Sequence, residues 1–555
     1  MKLASLSAVT LGSVLLVSCM FAPTTTTAAS VGASGLPETA TGANVDETKV
    51  QQILFVNNQN PAASDSNPGT EAQPFLTVSQ GAIAAQANNA NGIGTKVYIA
   101  PGVYREAVSL SQTGNETDAP LIFEGTVRGS VILSGSDVWP ASEWTQTGPY
   151  TYQHNWPYTW GLAPYPPGWA GNTVLQDIVR RREMVYVNGN NMSQVLQVSA
   201  LTDYTFFADE TAHTLTLQLG PNLPMSSSTI EVAIRPAVMV VAGQTNFVMR
   251  DLVFRHGNVA VQDASIRVMN SNNVLIEGCT FEWNNWNGLG LSSTSNITLS
   301  GNTADNNGAE GIDVYNMKNV VIDSNQTSYN NWRGARGNYY GWSVAGAKLG
   351  GVHVGRVSNH VAAANWSRGL WLDYDNRDFT VDSVTLTSNF NDGIFIEADP
   401  GPVLIQNSTM SNNRGGAGIA AANSSDVTIR NNTVIGNAAE QVLITGDLNR
   451  TVVNWETGVQ QDAQATRWTV QANSITCLDS RQVMLAVAQN WPPFLTTLSA
   501  SDNVWSKPGG RHMFQVGSRW LSFPEWQALV NADWTSVERV PNLAVGGEAP
   551  SHRSR

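Results

Sequence analysis

Asp373 and Glu397 close two similar segments, GLWLD over 369–373 and GIFIE over 393–397. Two carboxyl groups about 5–5.5 Å apart can cleave a glycosidic bond with retention, one as nucleophile and the other as acid and then base. In both segments the first and third residues after the glycine are apolar: Leu370, Leu372, Ile394 and Ile396. On strands these face a core, so the second and fourth residues face outward. The outward second position reads Gly290, Asp313, Lys348, Trp371, Phe395 and Ala420 through the chain, and the fourth reads Ser292, Tyr315, Gly350, Asp373, Glu397 and Ala422. Parallel strands stack roughly 4.8 Å apart, so Asp373 and Glu397 become neighbours at close to the required separation. Like charges in register are unfavourable unless something uses them, and their repulsion lifts one of the pair toward what an acid catalyst needs. Trp371 and Phe395 would give an apolar floor for a sugar ring, with Asp313 and Lys348 extending the polar line. The same acids could instead hold calcium, with Asp375 and Asp378 nearby; no other cofactor is expected.

What must position these residues is a repeat. Short apolar strands begin at Val274, Ile297, Val320, Gly355, Phe379, Val403 and Val427, at intervals of 23, 23, 35, 24, 24 and 24 residues. Ten residues after each stands an asparagine: Asn284, Asn307, Asn330, Asn365, Asn389, Asn413 and Asn437. Asparagine tolerates left-handed turns, and its amide can bond the copies above and below. A glycine follows four or five residues later in Gly288, Gly311, Gly369, Gly393 and Gly418, with Gly346 after the insertion. The leucine consensus of leucine-rich repeats is absent, and strands such as VLIEG, ITLSG and VTIRN suit a parallel β-helix. The expected class is all-β, a right-handed parallel β-helix with an inserted β-sandwich-like domain.

The 35-residue interval carries about 12 extra residues, the way solenoids accommodate loops. This insertion holds Trp332, Arg333, Arg336, Tyr339, Tyr340 and Trp342, a composition that fits a substrate wall and equally an ordinary surface loop. If Gly334 rather than Gly346 were the column glycine, Arg336 would replace Lys348, over a poorer core of Ala335 and Gly337.

The remaining chain divides by composition. Residues 1–19 read as an export leader: Lys2, an apolar stretch too short for a transmembrane helix, and Leu16-Val17-Ser18-Cys19 resembling a lipobox that would lipidate Cys19, with cleavage near Ala29 as the alternative. Residues 20–50 are Thr-, Ala-, Ser- and Gly-rich, a flexible tether. Residues 51–138 form the N-terminal cap and first coils, with a capping helix in Pro74–Asn89; residues 139–235 break the period as a β-rich insert; residues 236–499 are the main β-helix; residues 500–555 are a C-terminal cover and tail with Trp505, Trp520 and Trp526. The tryptophans of the insert, Trp139, Trp144, Trp156, Trp160 and Trp169, suit gluing it to the solenoid better than stacking on sugars. Cys279 and Cys477 read as small buried residues rather than a bridge. A net charge of −13 and the lack of a basic run exclude a nucleic-acid binder.

At WLDYDN (371–376) and FIEADPGP (395–402) the chain resembles the β-helix β-xylosidases of glycoside hydrolase family 120, within the wider pectin-lyase-like right-handed β-helix group. The resemblance is sharpest over roughly 340–410. It implies a β-helix with an intervening sandwich, Asp373 as nucleophile and Glu397 as acid/base. The expected function is a secreted or surface-anchored monomeric glycoside hydrolase acting on an oligo- or polysaccharide of plant or algal type. It would touch a membrane only through Cys19. Two alternatives stand beside it: a polysaccharide lyase with Lys348 or Arg336 as base and calcium on the acids, and a non-catalytic glycan-binding solenoid.

Overall fold

The computed structural model describes residues 36–111, 118–166, 169, 173–446, 449–488, 492–509 and 512–540. The leader and Cys19 lie outside the described residues. Each regular coil of the main body has three strands, as in Arg368–Asp373, Arg377–Asp382 and Thr385–Thr387. Each strand pairs in parallel with its equivalents one coil before and after. Alternation does the rest: Leu370, Leu372, Phe379, Val381 and Leu386 point inward and are fully buried in one core that runs the length of the solenoid.

One corner of every coil is locked by the asparagine column. From Asn284 to Asn437 each side-chain Nδ2 donates to the next asparagine's Oδ1 at 2.8–3.2 Å, and Gln441 closes the series at 2.9 Å. Each Oδ1 also accepts the backbone N–H of the preceding asparagine. The left-handed residue is not the asparagine but the one before it: Trp283, Asn306, Tyr329, Ala364, Ser388 and Asn412 all have φ between 50° and 60°. The glycine column follows from this ladder. A Cβ on Gly369 would lie 2.7 Å from Asn389 Nδ2 and 2.6 Å from the Gly393 carbonyl oxygen, and the same collision recurs at Gly346 and Gly393. A second ladder, Asn432–Asn473–Asn503, locks another corner.

The solenoid is closed at both ends. The helix Val78–Ala90, started by a Thr77 cap, lays Val78, Ala82 and Ala85 on the first coil. At the other end, Phe523–Val530 begins with a Ser522/Glu525 capping box and stacks Trp526 on Phe514 at 4.8 Å. Trp505 is buried there, whereas Trp520 is exposed. The tether expected over 20–50 does not run free to its end. From Glu38 the chain is strapped along the coils, with the N–H groups of Thr41, Ala43 and Asn44 bonded to Asn319, Thr298 and Asn273.

The insert is two small sheets. One joins Asn190–Asn191, Val185–Val187, Ile230–Ala233 and Ser136–Trp139; the other joins Ser193–Gln194, Thr205–Asp209, Thr214–Gln218, Thr151–Asn155 and Thr145–Gly148. Trp144, Trp156, Phe206, Leu217, Val187 and Val232 share one core between them. Trp169 instead packs with Trp286, Ala309 and Val344 of the solenoid. Arg333 seals the junction. Wholly buried, it donates to Asn285 of the solenoid and to Gln194 and the Glu183 carbonyl of the insert, at 2.8–2.9 Å.

Candidate active site

The outward columns are in register as stacked. Asp313 pairs with Lys348, Lys348 with Trp371 and Trp371 with Phe395; beside them Tyr315 pairs with Gly350, Gly350 with Asp373 and Asp373 with Glu397. Gly346 is therefore the column glycine, which puts Lys348 in line and leaves Arg336 out of it. Arg336 ends a short helix, Trp332–Arg336, and donates to Asn191 Oδ1 and the Met192 carbonyl of the insert.

Each acid of the pair has its own cation. Lys348 Nζ lies 2.9 Å from Asp373 Oδ2, and Arg450 Nη1 lies 2.8 Å from Glu397 Oε1. Burial pulls the Lys348 ammonium down, but Asp373, Glu310 and Asp313 outweigh it and raise it above its ordinary value. Burial raises the Glu397 carboxyl, Asp373 raises it further, and Arg450 opposes both; the net direction is up. Behind Lys348, burial raises Asp313 against the lysine's pull, and Asn287 Nδ2 donates to it at 3.2 Å. Glu310 is buried with Oε1 unpartnered, and burial holds it well above the usual carboxylate range.

Trp371 is not the open floor its column position suggests. It is 2% exposed, because the Arg368 guanidinium lies over its ring at 4.4 Å and over Phe395 at 4.5 Å. Arg368 is fixed there by Asp392 at 3.2 Å and by the Gly341 carbonyl of the insertion. Trp342, next to that carbonyl, is 44% exposed and packs on Trp169 at 4.3 Å. Tyr315 is 49% exposed, and its ring lies against the gap left by Gly350 beside Asp373.

The two acids nearest the pair in sequence face other partners. Asp375 is buried among His353 Nε2 at 3.0 Å, Arg377 at 2.7 Å and the Trp455 N–H at 3.0 Å, while Asp378 accepts from the Glu38 N–H. Among the described residues no group of three or more His, Cys, Asp or Glu is placed to hold a metal ion.

The cations Arg368 and Arg450 are absent from the expected site for different reasons. Arg368 sits one position before a column glycine. The column one residue before the glycines reads Asn287, Glu310, Ala345, Arg368, Asp392 and Ala417, and it carries Glu310, Arg368 and Asp392 of the site. Arg450 comes from a coil of 41 residues whose extra length forms the hairpin Thr451–Val453/Gln460–Asp462. No repeat position predicts a residue on such a hairpin.

The family model described as the right-handed beta helix region matches residues 225–341 and 336–475. No curated protein sequence matches the chain. Among solved structures, a complex of XylC with xylose is similar at a TM-score of 0.65 and 14% identity, covering 84% of this chain and 86% of that one. The A-module of the Azotobacter vinelandii mannuronan C-5 epimerase AlgE4 is similar at a TM-score of 0.46 and 14% identity, over 87% and 100% of the two chains. A structure described as a glycoside hydrolase has a TM-score of 0.42 and 10% identity, over 84% and 95%. At these identities the likeness is one of fold: the chain is a right-handed parallel β-helix, as its repeat implies.

Proposed function

We propose that this protein is a retaining glycoside hydrolase whose acid pair works in the xylosidase-like way, acting outside the cytoplasm on an oligo- or polysaccharide. The observation that carries the reading is the in-register pair Asp373 and Glu397, each facing its own cation on one outer face. Register puts the two strands about 4.8 Å apart, near the carboxyl separation that retention requires. Asp373, held by Lys348, attacks the anomeric carbon; Glu397 protonates the departing oxygen and then takes a proton from the incoming water. Burial and the Asp373 charge favour the protonated form of Glu397 that the first step needs. Arg368, stacked on Trp371 and Phe395, offers the sugar a planar cationic face in place of bare rings. The complex of XylC with xylose, on a similar fold, supports a saccharide as ligand. Export through the leader, with Cys19 lipidated, belongs to the same proposal.

The lyase alternative needs a neutral base. Lys348 is held as an ammonium by the Asp373 carboxylate at 2.9 Å, and Arg336 is bonded to the insert, so neither suits that role. Incubation with plant and algal glycans tests the assignment. Hydrolysis adds the mass of water and, by proton NMR, the first-formed anomer keeps the substrate's configuration. An unsaturated product or an inverted anomer would refute it.

A further inference from the structure

Arg450 differs from the other cations of the site. Lys348 is buried against its acids, with 15% of its side chain exposed, and Arg368, at 16%, is fixed by Asp392, a carbonyl and two aromatic rings. Arg450 is 34% exposed, and it is brought to Glu397 from an added hairpin rather than from the coil itself. Its backbone is nonetheless well held. The Ala463 N–H bonds the Arg450 carbonyl at 2.9 Å, Asn423 Nδ2 bonds the Ala463 carbonyl at 2.8 Å, and the Val453 N–H bonds the Tyr374 hydroxyl at 2.9 Å. Further along the hairpin, Glu456 is clipped to His353 at 2.8 Å and Lys318 at 3.0 Å. The fold thus spends a long insertion to hold one partly exposed guanidinium over the acid that must donate a proton.

That placement opposes a neutral substrate. A general acid has to be protonated when the sugar arrives, and although burial and Asp373 raise Glu397, the ion pair with Arg450 pulls it back toward the carboxylate. A guanidinium released from Glu397, one-third exposed, is free to take up another anion in the same place, and its planar fork matches a carboxylate. A sugar carrying a carboxylate at the cleaved bond supplies that anion; a neutral pentose or hexose does not.

On the premise that Asp373 and Glu397 are the working pair, we propose that Arg450 recognises a sugar carboxylate, so that the substrate class is a uronic-acid-containing glycan and binding transfers Arg450 from Glu397 to the substrate. The transfer leaves Glu397 with Asp373 and Arg368 as its charged neighbours, and thereby arms it as the acid only when the right sugar is bound. Hydroxyl contacts elsewhere in the site then position the ring, while the carboxylate decides whether chemistry proceeds.

The test compares aryl β-glucuronides with the matching β-glucosides and β-xylosides on wild-type protein and on Arg450→Gln, together with calorimetric binding of free glucuronate and of xylose. The expected result is glucuronide turnover at least tenfold above that of the neutral sugars, a preference lost in Arg450→Gln, with glucuronate binding weakened in the same variant. Turnover of neutral glycosides equal to or above that of glucuronides, with the ratio unchanged in Arg450→Gln, overturns the inference and leaves the hydrolase reading intact. Glucuronate binding that depends on Arg450 without hydrolysis of any glycoside does the reverse: it refutes the hydrolase and keeps the carboxylate site. Neither turnover nor Arg450-dependent binding overturns both. Thermal unfolding of Arg450→Gln close to wild type shows that the hairpin still folds.

Discussion

On the proposed roles, replacing Glu397 with alanine separates the acid from the nucleophile. A positioned general acid contributes about 10²–10⁴ in rate, which at 1.36 kcal/mol per decade is roughly 3–5.5 kcal/mol. That full loss is expected on a glycoside with a poor leaving group, such as an alkyl glycoside. A dinitrophenyl glycoside of the same sugar departs without a proton, so its first step should fall far less, and azide should restore turnover by replacing the water that Glu397 activates. The effect will not be confounded by unfolding. Glu397 is 17% exposed, and its partner Arg450, at 34%, is left beside solvent, so the stability change is on the order of 1 kcal/mol. Asp373→Asn should abolish both substrates, because no leaving group rescues a missing nucleophile. In the wild type, burial and the Asp373 charge raise the Glu397 carboxyl, so kcat/KM should fall as pH rises through that raised value, and the alanine variant should lack this limb on the dinitrophenyl glycoside. Steady-state kinetics on the two substrates read all of this. Equal losses on both, or Asp373→Asn showing the leaving-group dependence instead, would refute the assignment of roles.

Three further outcomes follow from the same geometry. Lys348→Met leaves Asp373, Asp313 and Glu310 without their shared cation, and loss of one partner of a buried pair costs about 3–5 kcal/mol; chemical denaturation should show it, with activity lost even where the protein remains folded. Gly369→Ala drives a Cβ into the Asn389 amide and the Gly393 carbonyl, so about 1–3 kcal/mol of stability should go by calorimetry, whereas Gly92→Ala, in open space, should show only the strain of its positive φ. His353, 6% exposed, has its ring nitrogens on Asp375 and Glu456; burial lowers its pKa, but these bonds outweigh burial and raise it above 6.5. Its contribution to stability is then complete below 6.5 and lost as pH rises through the raised value, so thermal stability should decline on the alkaline side, and His353→Gln should flatten that slope.

How far the sequence can be read depends on whether a residue sits on the repeat. Asp313, Lys348, Trp371, Phe395, Asp373 and Glu397 are periodic, and the ladder of buried asparagines leaves their coils only one alignment. Gly346 was separable from Gly334 by core packing alone, since Ala347 and Leu349 fill the interior where Ala335 and Gly337 would not. What lies off the repeat was not legible. Arg333 reads as a substrate-wall residue from its aromatic company, yet it is buried as the pin between insert and solenoid. Arg336 follows it into that interface. Arg450 reaches Glu397 across a hairpin whose conformation depends on long-range contacts with His353 and Asp375, which no local spacing encodes. The burial of Trp371 is likewise not legible, because alternation tells which way a side chain points but not what covers it.

These two classes of residue have different energetic duties. Stacking two acids in register on neighbouring coils costs free energy, and a bare β-helix has no means to offset it. Asp373 and Glu397 persist because cations come from three independent places: Lys348 from the coil before, Arg368 from the edge of the strand and Arg450 from the hairpin. The periodic residues therefore fix the distance between the carboxyl groups, and two of the three cations are held in place by insertions, one through the Gly341 carbonyl and one through the hairpin. Spacing is then rigid and charge balance adjustable. The 35- and 41-residue coils on either side of Asp373 and Glu397 are thus where the charge balance of the pair is set.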